Sequence, residues 1–153
     1  MMVTLQSGAP DLLAVARQHA TDAGRWPPVR FGPVDRWYAQ IGTTDEYEVW
    51  LLTWLPGQGT DLHDHGGSAG AFVVAAGTLT EEIVAGGRLR PAELSTGDGR
   101  RFGPRHVHRV RNRTGRPAIS VHVYRPALVR MTSYRLLDGE LRVAEVAEAG
   151  VAW

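Results

Sequence analysis

Two periodicities divide the chain. From Pro10 to Ala20 (PDLLAVARQHA), Leu12, Val15, Ala16 and His19 recur at helical spacing, and Pro10 suits a first helical position. This predicts one short helix packed outside the main body, with His19 a surface or interface residue rather than a ligand. From about residue 30 the spacing becomes that of short strands broken by Gly and Pro. Glu46 to Leu55 (EYEVWLLTWL) predicts an apolar, aromatic strand stopped by Pro56-Gly57. Ala71 to Ala76 predicts the next, with Thr78 to Val84 as its hairpin partner across Gly77. Leu89 to Leu94 and Arg100 to Phe102 flank the Gly97-Asp98-Gly99 turn. His106 to Arg111 and Ala118 to Tyr124 follow, and Tyr134 to Leu137 pairs with Glu140 to Val146 across Asp138-Gly139. Many short strands without alternating helices predict an all-β fold, an antiparallel barrel with a short N-terminal helix. The expected organisation is a single domain: a helical segment over 1–29, a barrel over 30–137, and a last strand and tail over 138–153.

Composition supports this reading and narrows the chemistry. The 153 residues include 18 Gly and 9 Pro, which suits many tight connections. All 17 basic residues are arginine, set against 16 acids, and a net charge of +1 calls for neither nucleic acid nor membrane as partner. No apolar run approaches the roughly 18 residues of a membrane span, and no basic segment followed by an apolar one opens the chain. The expected location is cytoplasmic. Cysteine is absent, so any metal must be held by His, Asp or Glu.

Five of six histidines fall among the strands: His63, His65, His106, His108 and His122. Residues two apart on a strand share a face, so His63 and His65 lie together while Asp64 points away. His106 and His108 form a second such pair. Two pairs in one small β-domain indicate a metal site. Ser120-Val121-His122-Val123-Tyr124 alternates strictly, which places hydroxyl, imidazole and phenol on one face, able to form a hydrogen-bonded relay. The plainer alternative for this strand is an edge with a solvated polar face. Arg109, Arg111 and Arg113 read as a solvated face, and Trp50 and Trp54 as core.

These residues resemble the cupin superfamily and, within it, the cysteine dioxygenase family. Gly59 to Gly77 (GTDLHDHGGSAGAFVVAAG) resembles the first cupin motif, except that Gly70 replaces the usual glutamate ligand. Gly103 to Asn112 (GPRHVHRVRN) resembles the second, in which the His four positions before Asn is the ligand. The resemblance therefore implies a cupin-type, jelly-roll-like barrel with an all-histidine site of His63, His65 and His108. His106 is left as a neighbour or surface residue. Ser120, His122 and Tyr124, followed by Pro126, resemble the family's Ser-His-Tyr segment beside the iron. Gly70 also stands where mammalian members carry a cysteine cross-linked to that tyrosine, which implies an unmodified Tyr124.

The resemblance implies a non-haem Fe(II) thiol dioxygenase that oxidises a small thiol with O2 to the sulfinic acid. L-Cysteine and 3-mercaptopropionate are the expected kinds of substrate. Tyr38-Ala39-Gln40 matches the family segment that supplies an arginine to the substrate carboxylate, with Gln40 in the arginine's place and Arg36 as the alternative. Tyr38, Gln40 and Arg36 are thus the expected substrate-binding residues. The partners implied are the thiol and O2, and the oligomeric state is left open. The rival readings are another metal-dependent cupin enzyme, an isomerase or a dioxygenase of other substrates, and a non-catalytic cupin that binds a small ligand.

Overall fold

The computed structural model describes residues 8–148; the outer ends of the expected domain, 1–7 and 149–153, lie outside the described residues. Helix α1 (Leu12–Ala20) starts after Asp11, whose carboxylate accepts the Leu13 N–H at 3.1 Å. Pro10 precedes this cap and does not open the helix as expected, because the aspartate supplies the oxygen that the first turn requires. Leu12, Leu13 and Ala16 are the buried side chains of α1. No helix among the described residues is long and apolar enough to cross a membrane.

The strands are β1 (Tyr38–Thr43), β2 (Glu48–Trp54), β3 (Leu62–His63), β4 (Ala69–Ala76), β5 (Thr78–Ala85), β6 (Arg88–Ser95), β7 (Gly99–Phe102), β8 (His108–Arg111), β9 (Ala118–Arg125), β10 (Arg130–Leu137) and β11 (Glu140–Glu148). They form two antiparallel sheets, one ordered β1-β2-β9-β4-β7 and the other β11-β10-β3-β8-β5-β6. The all-β barrel with one N-terminal helix is the observed architecture.

The pairing differs from expectation in two places. β4 lies between β9 and β7, so it offers no edge to β5, which pairs instead with β6 and β8 in the other sheet. The chain changes sheets at Gly77, whose φ of 76° is left-handed and whose Cα lies too close to the Pro117 carbonyl for any side chain. β6 and β7, though separated by one short turn, also belong to opposite sheets. Local turn signals locate the reversal of the chain but not the sheet to which it returns.

The first sheet is covered on both faces. Val49, Leu51, Ala71, Val73, Val121 and Val123 face outward and pack with Leu12, Leu13 and Ala16 of α1. The opposite positions, among them Trp54, Phe72, Val74 and Tyr124, face inward with Leu79, Leu94, Phe102 and Val110 to form the barrel core. The alternation of β9 follows directly: its valines lie under the helix, and Ser120, His122 and Tyr124 look into the barrel. The interior between the two sheets is where the site is built.

Candidate metal centre and its cavity

β3 is two residues long and ends at His63, so His65 stands just beyond it, in the loop leading to β4. The shared face survives this shortening. Asp64 points away, accepting the Tyr134 hydroxyl at 2.6 Å and the amides of Gly66 and Thr132. His63 is the direct cross-strand partner of His108 on β8. The three rings form a nearly equilateral group, with centroids 4.9 Å apart for His63–His65, 4.8 Å for His63–His108 and 5.0 Å for His65–His108. Each offers a ligand nitrogen within 4.8 Å of the others, and all three are buried.

The donor set suits a divalent cation. Burial, then the neighbouring imidazoles, holds His63 and His65 well below the usual histidine pKa. Burial also lowers His108, against the opposing pull of Glu81. All three are therefore neutral at physiological pH, the state in which imidazole is a ligand. The Nδ1–H of His63 donates to the Asp61 carbonyl at 2.8 Å, and the Nδ1–H of His108 donates to the Glu81 carboxylate at 2.8 Å. A carbonyl and a carboxylate only accept, so both rings keep the Nε2 lone pair free. His65 Nδ1 is buried and has no hydrogen-bond partner among the described residues.

Beside the three histidines lies a cavity lined by Arg36, Tyr38, Trp50, Leu52, Leu128 and Met131, among others, with Tyr124 and His122 in its wall. Ser120, His122 and Tyr124 are buried inside the barrel, not on a solvated edge. Trp54 Nε1 donates to Ser120 Oγ at 2.8 Å, and Ser120 Oγ is 2.7 Å from His122 Nε2. A serine proton directed at the His122 Nε2 lone pair goes with the tautomer protonated at Nδ1. In that tautomer the His122 Nδ1–H points to the Tyr124 oxygen across a long 3.4 Å and the phenol proton is free to donate. Burial, then His108 and Arg36, lowers His122 to about 3, so this imidazole is neutral. Burial likewise pushes the Tyr124 phenol up, keeping it protonated.

Arg36 lines the cavity, its guanidinium carbon 4.7 Å from the centre of the Trp54 ring. Tyr38 lines it too, edge-on to Trp50 at 5.8 Å. Gln40, two residues along β1, is exposed and is not among the lining side chains. Trp54 is core, as expected, and Trp50 packs against the same core; both also line the cavity, because the inward face of β2 is the cavity wall. The arginines after His108 are not simply solvated: Arg109 and Arg113 both bond the buried Glu82, at 3.0–3.1 Å.

Three neighbours of the site are not singled out by the sequence. Glu81 on β5 bonds His108. Arg100 on β7 reaches Glu81 at 3.2 Å. Phe102 stacks on His65 with centroids 4.5 Å apart, and its ring lies where a side chain at position 70 would go. Only Thr-Glu-Glu alternation on β5, with one glutamate on the inward face, hints at the first of them.

Among solved structures, the fold is similar to a protein with a double-stranded β-helix domain from Klebsiella pneumoniae, at 22% identity and a TM-score of 0.58, covering 76% of this chain and 90% of that one. A protein from Thermus thermophilus, TT1209, is similar at 23% identity and a TM-score of 0.58, covering 65% and 90% of the two chains. A cupin superfamily protein from Desulfitobacterium hafniense matches at 8% identity and a TM-score of 0.52, covering 62% and 81%. At these identities the likeness concerns the fold, which is that of the cupins. Comparison with curated proteins gives no match. The family described as cysteine dioxygenase type I matches residues 13–136, a span that contains all three histidines, Ser120, His122 and Tyr124 of β9, and the residues that line the cavity. The chain belongs to the cysteine dioxygenase type I family.

Proposed function

We propose that the protein is an Fe(II)-dependent thiol dioxygenase acting on a small thiol that carries a carboxylate. The observation that supports this reading most directly is the meeting of three buried, neutral imidazoles with a protonated phenol packed beside them. His63, His65 and His108 would hold the metal, whose charge, undiminished by a carboxylate ligand, stabilises a thiolate over a thiol and whose redox chemistry admits O2.

The remaining work falls to the protein's own groups. Arg36 stays cationic despite burial, and its position in the cavity wall suits it to a substrate carboxylate. Trp54 holds the flat face of that guanidinium and so limits its swing. Tyr124 donates a hydrogen bond into the cavity, toward negative charge that develops on oxygen or on the carboxylate. His122, Ser120 and Trp54 fix the direction of that donor. Leu52, Val110, Leu128 and Met131 keep the walls apolar and water scarce. In the overall change RSH + O2 → RSO2⁻ + H⁺, two S–O bonds form and the O–O bond breaks. Sulfur loses four electrons and O2 gains them, so no further reductant is required.

The test is O2 consumption by Fe(II)-loaded protein with L-cysteine, 3-mercaptopropionate, mercaptosuccinate and cysteamine. At least one carboxylated thiol is expected to be consumed with stoichiometric O2 and sulfinate formation, and cysteamine, lacking the carboxylate, to be much poorer. No O2 uptake with any thiol would reject the reading in favour of a ligand-binding cupin.

A further inference from the structure

The three histidines are not equivalent in what lies behind them. His63 has a neutral carbonyl at Nδ1, and His65 has nothing. Only His108 is backed by an anion. Glu81 Oε2 accepts its Nδ1–H at 2.8 Å, with Glu81 4% and His108 1% exposed. The register explains how they meet: on β5 and β8, Ile83 pairs with His108 and Glu81 with Val110, so Glu81 and His108 face inward on neighbouring strands, two residues out of step. The carboxylate is itself held from two further sides. Arg100 Nε, from the opposite sheet, forms an ion pair with Oε1 at 3.2 Å, and His106 Nε2 lies 3.4 Å from Oε2. A buried carboxylate is costly unless it is paired, and here Oε2 accepts from His108 while Oε1 faces the Arg100 guanidinium.

We propose that Glu81 is a positioning residue of this centre: it fixes His108 as the Nδ1–H tautomer, orients its Nε2 toward the point shared with His63 and His65, and makes it the strongest donor of the three. The proposal rests on the metal-centre reading given above. A carboxylate that shares the imidazole proton raises electron density on the distal nitrogen, and carboxylate–histidine pairs of this kind change metal affinity by about 10–100-fold when removed. Arg100 and His106 keep Glu81 from swinging away and keep it charged. Glu81 thereby supplies the metal's surroundings with a negative charge that Gly70, unlike a glutamate at that position, does not.

The experiment is anaerobic titration of the apo protein with Fe(II), and separately with Co(II), for the wild type, Glu81→Gln and Glu81→Ala. It is accompanied by nitrogen-15 NMR of the histidine tautomers before metal is added. In the wild type and E81Q, His108 is expected to be the Nδ1–H form, because glutamine retains an accepting oxygen. In E81A that preference is lost. Affinity is expected to fall about 10–100-fold in E81A and by less in E81Q, which keeps orientation but not charge. Equal affinities in all three proteins with an unchanged His108 tautomer would overturn the role of Glu81 while leaving the metal centre standing. A wild type that takes up neither metal would overturn both. Should E81A fail to fold, E81Q decides the matter, because a merely structural glutamate predicts no change in affinity on this isosteric replacement.

Discussion

His63 and His108 sit directly opposite each other on β3 and β8, their ring centroids 4.8 Å apart. Non-adjacent segments 45 residues apart in the chain are thus brought into register by a single antiparallel pair, so loss of either ring should remove a ligand without dismantling a strand. His108→Ala and His63→Ala are each expected to abolish stoichiometric iron binding while the far-ultraviolet circular dichroism of the apo protein stays that of the wild type. Metal analysis after anaerobic loading checks this; retention of one iron per chain by either variant would remove it from the ligand set.

Tyr124 is separated from the ligands in role, though it shares their cavity. Tyr124→Phe should lower turnover by about 10²–10³, by analogy with removal of a preorganised donor, and leave iron content unchanged. Ser120→Ala should act in the same direction but less, since the serine only orients His122. Steady-state O2 uptake with metal analysis on the same samples separates the two effects. Parallel loss of iron and turnover would show that the tyrosine supports the metal instead.

Substrate recognition should depend on Arg36 and be indifferent to Gln40. For a carboxylated thiol, Arg36→Gln is expected to raise KM by about 10–100-fold, the worth of a charged hydrogen bond, whereas Gln40→Ala leaves kcat/KM near the wild-type value. The two substitutions assayed side by side decide between them.

Asp11 joins the helix cap to the barrel. Its carboxylate is held at about 2, below its ordinary 3.8, chiefly by the hydrogen bond from Arg101, whose Nη2 lies 2.7 Å away. A lowered carboxylate pKa stabilises the fold fully above the unfolded value and ceases to do so as pH falls through the folded one. Asp11→Asn, which keeps a capping oxygen, should therefore lower Tm at neutral pH. The deficit should narrow below about pH 4 and close near pH 2, and added salt should shrink it because the pair is exposed. A deficit that persists undiminished at pH 2 would mean the ion pair is not its origin.

Gly70 is fixed by space. A Cβ there would meet both the Phe102 ring and the Val123 carbonyl, and the carbonyl belongs to the sheet and cannot give way. Gly70→Ala should cost about 1–3 kcal/mol, as overpacking typically does, measured by urea unfolding of the apo protein. An unchanged midpoint would show that the strands part more readily than their pairing suggests.

What the sequence makes legible follows from how local each cause is. The alternation of Ser120 to Tyr124 and the His-x-His spacing are properties of single strands, so the relay and the metal-binding face can be read from the order of residues. Glu81 cannot be read this way, because its partners come from β7, β8 and the turn before β8, and its neighbour Glu82 looks the same in sequence yet turns outward to Arg109 and Arg113. Arg36 and Gln40 differ for a similar reason: the segment just before β1 lies over Trp54 while Gln40 within the strand is exposed, and neither follows from the residue types. The change of sheet at Gly77 is equally invisible, since a glycine turn serves a hairpin and a crossover alike.

The helix laid over β4, β7 and β9 constrains more than the surface it covers. Were β9 to slide by a single residue, Val121 and Val123 would be driven into the cavity and His122 thrust beneath Leu12 and Ala16. Both misplacements are penalised at once: the valines lose their packing under the helix, and the imidazole loses its contacts with Ser120 and Tyr124. A nine-residue helix on the outer face of the sheet thus acts as a ratchet pawl, holding β9 in the one tooth where its imidazole and phenol meet the three clustered histidines.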